Sequence, residues 1–237
     1  MQTTLDVVRP SKGASLKDQT YQIIKDLILS DRLPSGVTIS ENHLARNLGI
    51  SRSPLREAMV RLEREGFVEF TPWKGVKVVA LTPNYVQEIY QVRAALEGMA
   101  AFLAAPKLTD EDLAELERQV QLASREVSDQ AAHDAAEIAV HSLCPTRSGN
   151  SRLCEMAINM LDHMTRIRRH GGTVPGHLEA SYREHLELLL ALQTRDPEKA
   201  ERAIRGHLAA VAQRIAASLV RPSPSGSGRD LNRDREP

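Results

Sequence analysis

Apolar residues recur every three or four positions along most of the chain, which is the spacing of one helix face. The first such stretch, residues 15–31, carries a stripe made of Leu16, Tyr21, Ile24, Leu27 and Ile28. A second helix is predicted between Ser40, a good N-cap, and Gly49, which supplies a C-terminal break. A third helix is predicted to begin near Ser51–Pro54 and to end at Gly66.

The pattern changes directly after the third helix. Residues 67–81 read FVEFTPWKGVKVVAL, two short β-rich runs around a Pro/Lys/Gly turn, and this pattern predicts a hairpin. Three helices followed by a hairpin are typical of a winged helix-turn-helix. From Thr82-Pro83 onwards every periodic segment is helical again, and Asp196-Pro197 is an N-cap with a first-turn proline. The predicted helices cover 84–104, 109–126, 129–144, 150–169, 177–193 and 197–219.

These elements predict an all-α fold with a small β wing. The winged helix-turn-helix is expected over residues 15–81, and an antiparallel helical bundle that binds a ligand over residues 82–220. Residues 1–14 are polar and predict a flexible arm, and residues 221–237 have the Pro, Ser, Gly and charge content of a disordered tail.

Composition narrows the class of protein. Only 3% of the residues are aromatic, which suits a helical protein, and the net charge is zero, so any nucleic-acid contact must be local. The two cysteines, Cys144 and Cys154, form no CxxC, which argues against a disulfide scaffold or a thiolate zinc site. No signal-peptide core or membrane-length apolar run is present, and we expect a soluble, cytoplasmic protein without membrane contact.

The third helix has the polar residues that a recognition helix needs. Arg52 and Arg56 lie four positions apart near its N-terminal end, with Ser53 beside them, on a different face from the apolar stripe. Guanidinium groups bind guanine edges or phosphates in the major groove. Lys74 and Gly75 at the hairpin tip suit a wing that contacts DNA. The alternative is a solvated helix face with no ligand.

The sequence resembles a known family here. The run LPSGVTISENHLARNLGISRSPLREAMVRLEREGFVEFTPWKGVKV, with its SRSPLREA core at Ser51–Ala58, looks like the DNA-binding domain of GntR-superfamily bacterial regulators. The resemblance implies a homodimer that reads a pseudo-palindromic double-stranded operator through Arg52, Ser53, Arg56, Lys74 and Gly75. These regulators often carry an arginine where this chain has Asn42, which can hydrogen-bond DNA but brings no charge.

The second domain is similar to the FCD domain of the FadR branch. The matching pieces are VRAALEGMAA, HSLCPTRSGNSRL, EHLELLLAL and RDPEKAERAIRGHL. In many such proteins an Asp, a His four residues later and two further His hold a divalent ion. The corresponding residues are Glu137, His141, His185 and His207.

The helical pattern supports the same set, because His207 and His185 fall on the inner faces of their helices. Imidazole and carboxylate ligands suit Zn, Ni, Mn or Fe(II). Glutamate is one methylene longer than the usual aspartate, and Asp134, one turn earlier, is a substitute candidate. The other histidines are predicted on the surface or in loops: His43, His133, His163, His170 and His177.

The resemblance implies a small organic acid as effector. Arg93 could neutralise that acid, or instead form an i,i+4 ion pair with Glu97. We therefore expect a DNA-binding regulator, a repressor rather than an enzyme, whose operator binding responds to a carboxylate at or near the metal. The alternatives are a regulator that responds to metal alone and a metal-dependent hydrolase.

Overall fold

The structure is a computed structural model that describes residues 15–71, 75–125, 130–171 and 173–220. The predicted arm at 1–14, the predicted tail at 221–237 and the wing tip with Lys74 lie outside these residues. The fold is mostly helical, with a three-stranded antiparallel sheet in the N-terminal part and a helical bundle after it. The predicted fold class is therefore confirmed.

Over residues 15–71 and 75–81, the N-terminal part contains three helices and three strands. In chain order they are α1 (Leu16–Leu29), β1 (Thr38–Ile39), α2 (Glu41–Leu48), α3 (Arg52–Arg64), β2 (Val68–Thr71) and β3 (Gly75–Val78). Ser40 caps α2, since its hydroxyl accepts a hydrogen bond from the His43 amide, and Gly49 ends the helix in the left-handed region at φ 68°. Both predicted caps follow from local chemistry that needs no tertiary partner.

The wing differs from the predicted two-stranded hairpin. β3 lies between β2 and β1, and the added strand pairs Thr38 with Lys77 and Ile39 with Val76. Two residues are too few to establish a period of two along the chain, so β1 leaves no hydrophobic pattern. The strand β1 forms because it pairs with β3.

The helices of the N-terminal part enclose an apolar core. The inner face of α3 consists of Leu55, Ala58, Met59 and Leu62, all buried, as the spacing predicts. On α1 the buried stripe begins at Thr20 and Tyr21, and Leu16 of the predicted stripe is instead 43% exposed. Leu16 is the first residue of α1, where the helix has only begun to pack against its neighbours.

In the C-terminal part, the described residues form seven α-helices, with a short 3-10 turn after the first. They are α4 (Pro83–Ala104), α5 (Asp110–Arg125), α6 (Gln130–Arg147), α7 (Ser151–Asn159), α8 (Leu161–Gly171), α9 (His177–Gln193) and α10 (Pro197–Val220). Two helix boundaries differ from the predictions by more than two residues. The segment predicted as one helix over 150–169 is divided at Met160, and α6 continues past Pro145 to Arg147. Neither Gly nor Pro marks the break at Met160, so no local signal predicts it.

Helices α4 and α10 pack along each other, and α5, α6 and α9 complete the layer around them. The bundle encloses an apolar core that runs from Val86 to Ile215. Several charged and polar side chains are buried in the same bundle, which is unusual unless each has a partner. Within the described ranges, no helix combines the length and the apolar character that crossing a membrane requires.

Helix α8 connects the two parts. Asp162 forms an ion pair with Lys25 of α1 at 2.6 Å, and the His163 ring stacks on Phe67 with a centroid distance of 4.5 Å and an interplanar angle of 4°. Arg166 donates from Nη2 to the Val79 carbonyl at 2.6 Å. The N-terminal part is thus held against the bundle mainly through one face of one helix.

Candidate metal centre and DNA-binding surface

Three imidazoles meet inside the bundle, each from a different helix. His141 comes from α6, His185 from α9 and His207 from α10, and all three are buried. Their candidate ligand nitrogens lie within 4.8 Å of one another. The structure therefore brings together the three histidines that the sequence singled out.

Two carboxylates, one buried and one partly buried, fix the tautomers of two of these rings. Glu97 lies 2.6 Å from Nδ1 of His141, and Glu184 lies 2.9 Å from Nδ1 of His207. A carboxylate only accepts, so in each ring Nδ1 carries the hydrogen and Nε2 keeps its lone pair when the ring is neutral. Such carboxylate–histidine pairs are the usual outer support of metal-bound histidines.

The two Nε2 atoms so defined face each other at 3.3 Å. Two bare lone pairs at this distance repel, so the position between them requires a proton or a metal cation. Burial, opposed by the hydrogen bond to Glu184, lowers the pKa of His207 to about 3, so His207 does not hold that proton at neutral pH. Burial acts in the same direction on His141, but the Glu97 charge and the hydrogen bonds to Glu137 and Glu97 together raise the pKa of His141 above its ordinary value.

Each of these two carboxylates also accepts hydrogen bonds from an arginine. Arg93 donates from Nε to Glu97 at 2.6 Å, and the two terminal nitrogens of Arg214, Nη1 and Nη2, donate to Glu184, Nη2 at 2.8 Å. Burial alone would raise the pKa of Glu97, but Arg93 and His141 hold it at about 2. The pKa of Glu184 is likewise lowered to about 2, so both carboxylates stay ionised and keep the histidines oriented.

Glu137 lies against two of the three imidazoles. Its carboxylate oxygens are 3.2 Å from Nε2 of His185 and 3.5 Å from Nε2 of His141. Ser181 of α9 donates to it at 2.9 Å. Asp134, by contrast, is half-exposed and lies 3.8 Å from Arg168. Of the two candidate carboxylates on α6, Glu137 is the one that faces the centre.

Arg93 forms the i,i+4 ion pair with Glu97 that the sequence offered as one of two roles, and it is 1% exposed. Its Nη1 also lies 3.1 Å from the Met164 sulfur. The positive charge of Arg93 is therefore paired with the Glu97 carboxylate.

The sequence interpretation missed several polar residues of this interior. Glu97, Glu184 and Ser181 had no assigned role near the histidines, although Glu184 directly precedes His185. The prediction that the other histidines lie on the surface or in loops was wrong for His133, His163 and His177, each buried and in a helix. Spacing would have indicated two of them: His133 precedes Glu137 by four residues and His177 precedes Ser181 by four.

A cavity of about 180 Å³ opens next to the imidazole cluster. His185 and His133 line its inner end, and apolar residues of α5 and α9 form much of its wall. Arg183 and Glu179 supply charges. The cavity therefore reaches the side chain of His185, one of the three clustered imidazoles.

A second functional surface lies on the N-terminal part. A groove of about 610 Å³ is lined by Asn42 of α2, Arg52 and Arg56 of α3, and Gly75 at the start of β3. Ser53 is exposed beside them and lies 3.4 Å from Glu57. In the part of the chain that the structure describes, neither Arg52 nor Arg56 forms an ion pair, whereas Arg61 on the same helix pairs with Glu65. Four of the predicted DNA-binding residues thus share one open groove.

Two family models match the chain. Residues 16–78 match the model "Bacterial regulatory proteins, gntR family", and residues 88–210 match the FCD domain. The chain belongs to the GntR family of bacterial regulators. Its FCD domain assigns it to the FadR subfamily, as the resemblance predicts.

Similar proteins support this assignment. The chain is 30% identical over 199 residues to YdhC, an uncharacterized HTH-type transcriptional regulator of Bacillus subtilis (strain 168), covering 80% of this chain and 86% of YdhC. It is 24% identical to the HTH-type transcriptional repressor RspR of Escherichia coli (strain K12), covering 91% and 93% of the two chains. A GntR structure from Rhodococcus sp. RHA1 superposes with a TM-score of 0.67 at 20% identity, over 86% of this chain and 99% of that one, and so shares the fold. These relatives are regulators, not enzymes.

Proposed function

We propose that the chain is a cytoplasmic, dimeric repressor whose operator binding responds to a small organic acid at a divalent metal ion in the bundle. The observation that carries this proposal is the convergence of the three imidazoles, two of them with Nε2 freed by a carboxylate on Nδ1. The boundary between the DNA-binding and effector-binding domains is proposed at residues 81 and 82.

His141, His185 and His207 would hold the ion through their ring nitrogens, and Glu137 would be the fourth ligand or would bind a ligand of the ion. Zn, Ni, Mn and Fe(II) all suit imidazole and carboxylate donors. An ion held by three or four protein ligands supplies positive charge and open positions for a carboxylate. Glu97 and Glu184 keep the two rings oriented towards it.

The acid is proposed to enter through the cavity beside His185. Its limited volume favours a small acid over a long acyl chain. Arg183 in the wall could attract the anion. Arg93 was predicted to contact the effector. Because its Nε donates directly to the Glu97 carboxylate, we propose that Arg93 acts on the effector indirectly, through Glu97.

DNA contact is proposed for Asn42, Arg52, Ser53, Arg56, Lys74 and Gly75. The support is the open groove that holds four of these residues and the absence of ion pairs at Arg52 and Arg56 within the described ranges. Gly75, the first residue of β3, has a φ of 86°, a backbone conformation that favours glycine.

A homodimer would place two such grooves on a pseudo-palindromic operator. Helix α4 supports this, since it exposes apolar side chains one to three turns apart. Val92 is 48% exposed, Met99 45% and Phe102 37%. A second copy packed on this face would remove them from water.

A gel-shift titration on the promoter region of the chain's own gene tests the proposal. Operator affinity should be measured for the metal-loaded protein, the chelated protein, and the loaded protein with a panel of small carboxylic acids. The proposal predicts that at least one acid changes the affinity of the loaded protein and has no effect after chelation. A response to metal alone would favour the metal sensor, and no operator binding in any state would overturn the proposal.

A further inference from the structure

A cavity of about 380 Å³ that the proposed function leaves unassigned lies between the DNA-binding part and the bundle. It lies apart from the imidazole cluster, and none of the proposed metal ligands lines it. Its volume falls in the range of roughly 300–1,000 Å³ that is usual for small-molecule sites.

Both parts of the chain contribute walls. Ile28, Leu29 and Ser35 come from the DNA-binding part, and Leu81 comes from the segment before α4. The bundle supplies Leu219, His170 and a cationic side made of Arg166 and Arg169. Asp31 is the acidic member of the lining.

Arg166 is an unbalanced buried charge. It is 7% exposed, its Nη2 donates to the Val79 carbonyl, and its Nη1 has no hydrogen-bond partner. Throughout the described ranges no carboxylate forms an ion pair with Arg166 or Arg169. A buried guanidinium without a counter-charge is costly, and an anion in the adjacent cavity would reduce that cost.

We propose that this cavity binds a small organic anion, a carboxylate with an apolar body, between the two domains. Arg166 provides the buried positive charge, Arg169 provides a second charge at the exposed side, and Ile28, Leu29, Leu81 and Leu219 surround the apolar body. The site does not depend on a metal ion. Because α1 and α8 both line it, a bound anion stabilises the contact between the domains.

Asp31 brings a negative charge to the same cavity. Its carboxylate opposes an anion in the same cavity, and its backbone is in the left-handed region at φ 59°, a conformation that asparagine tolerates well. Asp31→Asn therefore removes the opposing charge without straining the turn. Arg169→Gln removes a positive charge that would attract the anion. The Arg169 side chain is exposed, and its contact within the fold is one hydrogen bond to the Ser30 carbonyl.

Isothermal titration of the chelator-treated full chain with benzoate and its neutral isostere benzamide tests the site. We expect benzoate to bind with a dissociation constant on the order of 1 mM or tighter, and benzamide to bind at least tenfold more weakly. Arg169→Gln should weaken benzoate about tenfold, as loss of a charge-assisted hydrogen bond predicts, and Asp31→Asn should strengthen it several-fold.

Arg183→Gln is the matched control, because Arg183 lines the other cavity beside the imidazoles. It should leave benzoate affinity unchanged. Absent benzoate binding, equal binding of benzamide, or tighter binding of inorganic phosphate than of benzoate would overturn the proposal. Loss of affinity in Arg183→Gln but not in Arg169→Gln would do so as well, by assigning the anion to the other cavity.

Discussion

The DNA-binding part and the bundle use their interiors in opposite ways. Around α3 the core side chains are apolar, and the arginines proposed to contact DNA are exposed in an open groove. In the bundle the proposed functional side chains are themselves buried, with Arg93, Glu97 and the three imidazoles among the apolar residues. Function and stability should therefore be separable in the first part and coupled in the second.

The largest effect is expected for a metal ligand. His185→Ala removes one of three converging imidazoles, and metal affinity should fall by more than the roughly 10–100-fold that loss of an outer partner costs. Competition titration with a chromophoric chelator measures the affinity. His43→Ala, in the DNA-binding part, is the control and should bind metal normally. Unchanged metal content in both His185→Ala and His207→Ala would remove the proposed site.

A smaller effect is expected for the outer carboxylates. Glu184→Gln keeps an acceptor near Nδ1 of His207 but loses the charge, so metal affinity should fall by about 10–100-fold. The same titration measures it. Glu187→Gln, on an exposed position of the same helix, should have no effect. Equal affinities of the two variants would show that Glu184 does not support the metal site.

The DNA-binding groove should respond differently. Arg56→Ala should weaken operator binding by about 1–3 kcal/mol, because it removes a base or phosphate contact, while the melting temperature stays unchanged. Fluorescence anisotropy and thermal unfolding measure the two quantities. Arg61→Ala on the same helix removes a pair with Glu65 and should leave operator affinity unchanged. A stability loss in Arg56→Ala without loss of DNA binding would contradict the separation.

The smallest effect is expected at the contact between α8 and the DNA-binding part. Burial, reinforced by the Arg166 charge, lowers the pKa of His163 below its ordinary value of 6.5. As the pH falls below 6.5 the unfolded chain therefore binds a proton that the folded chain does not, and the free energy of unfolding decreases.

His163→Phe should retain stacking on Phe67 and lose this contribution. The difference in unfolding free energy between about one pH unit above and one below the ordinary pKa should be smaller in the variant than in the parent chain. Urea unfolding at the two pH values measures it. An identical or larger pH dependence in His163→Phe would show that this residue is not responsible.

The predictable features are those set by short stretches of sequence. The inner face of α3 and the caps at Ser40 and Gly49 depend on neighbours within one or two turns, and each agrees with the structure. The meeting of the three histidines followed from their place on inner helix faces together with the family resemblance.

The unpredicted features depend on partners that are distant in sequence. Glu97 and His141 are 44 residues apart, and Glu184 and His207 are 23 apart, so no periodicity connects them. The short strand β1 likewise exists through its pairing with β3. Burial of His163 depends on how α8 packs against the other domain, which the pattern of one helix does not reveal.

Native mass spectrometry of the purified full chain, combined with elemental analysis, tests the central claim most directly. The account predicts a bound divalent ion for each chain, and loss of that ion in His185→Ala while the variant remains folded. A folded parent chain that carries no ion after incubation with Zn, Ni, Mn or Fe(II) would contradict it.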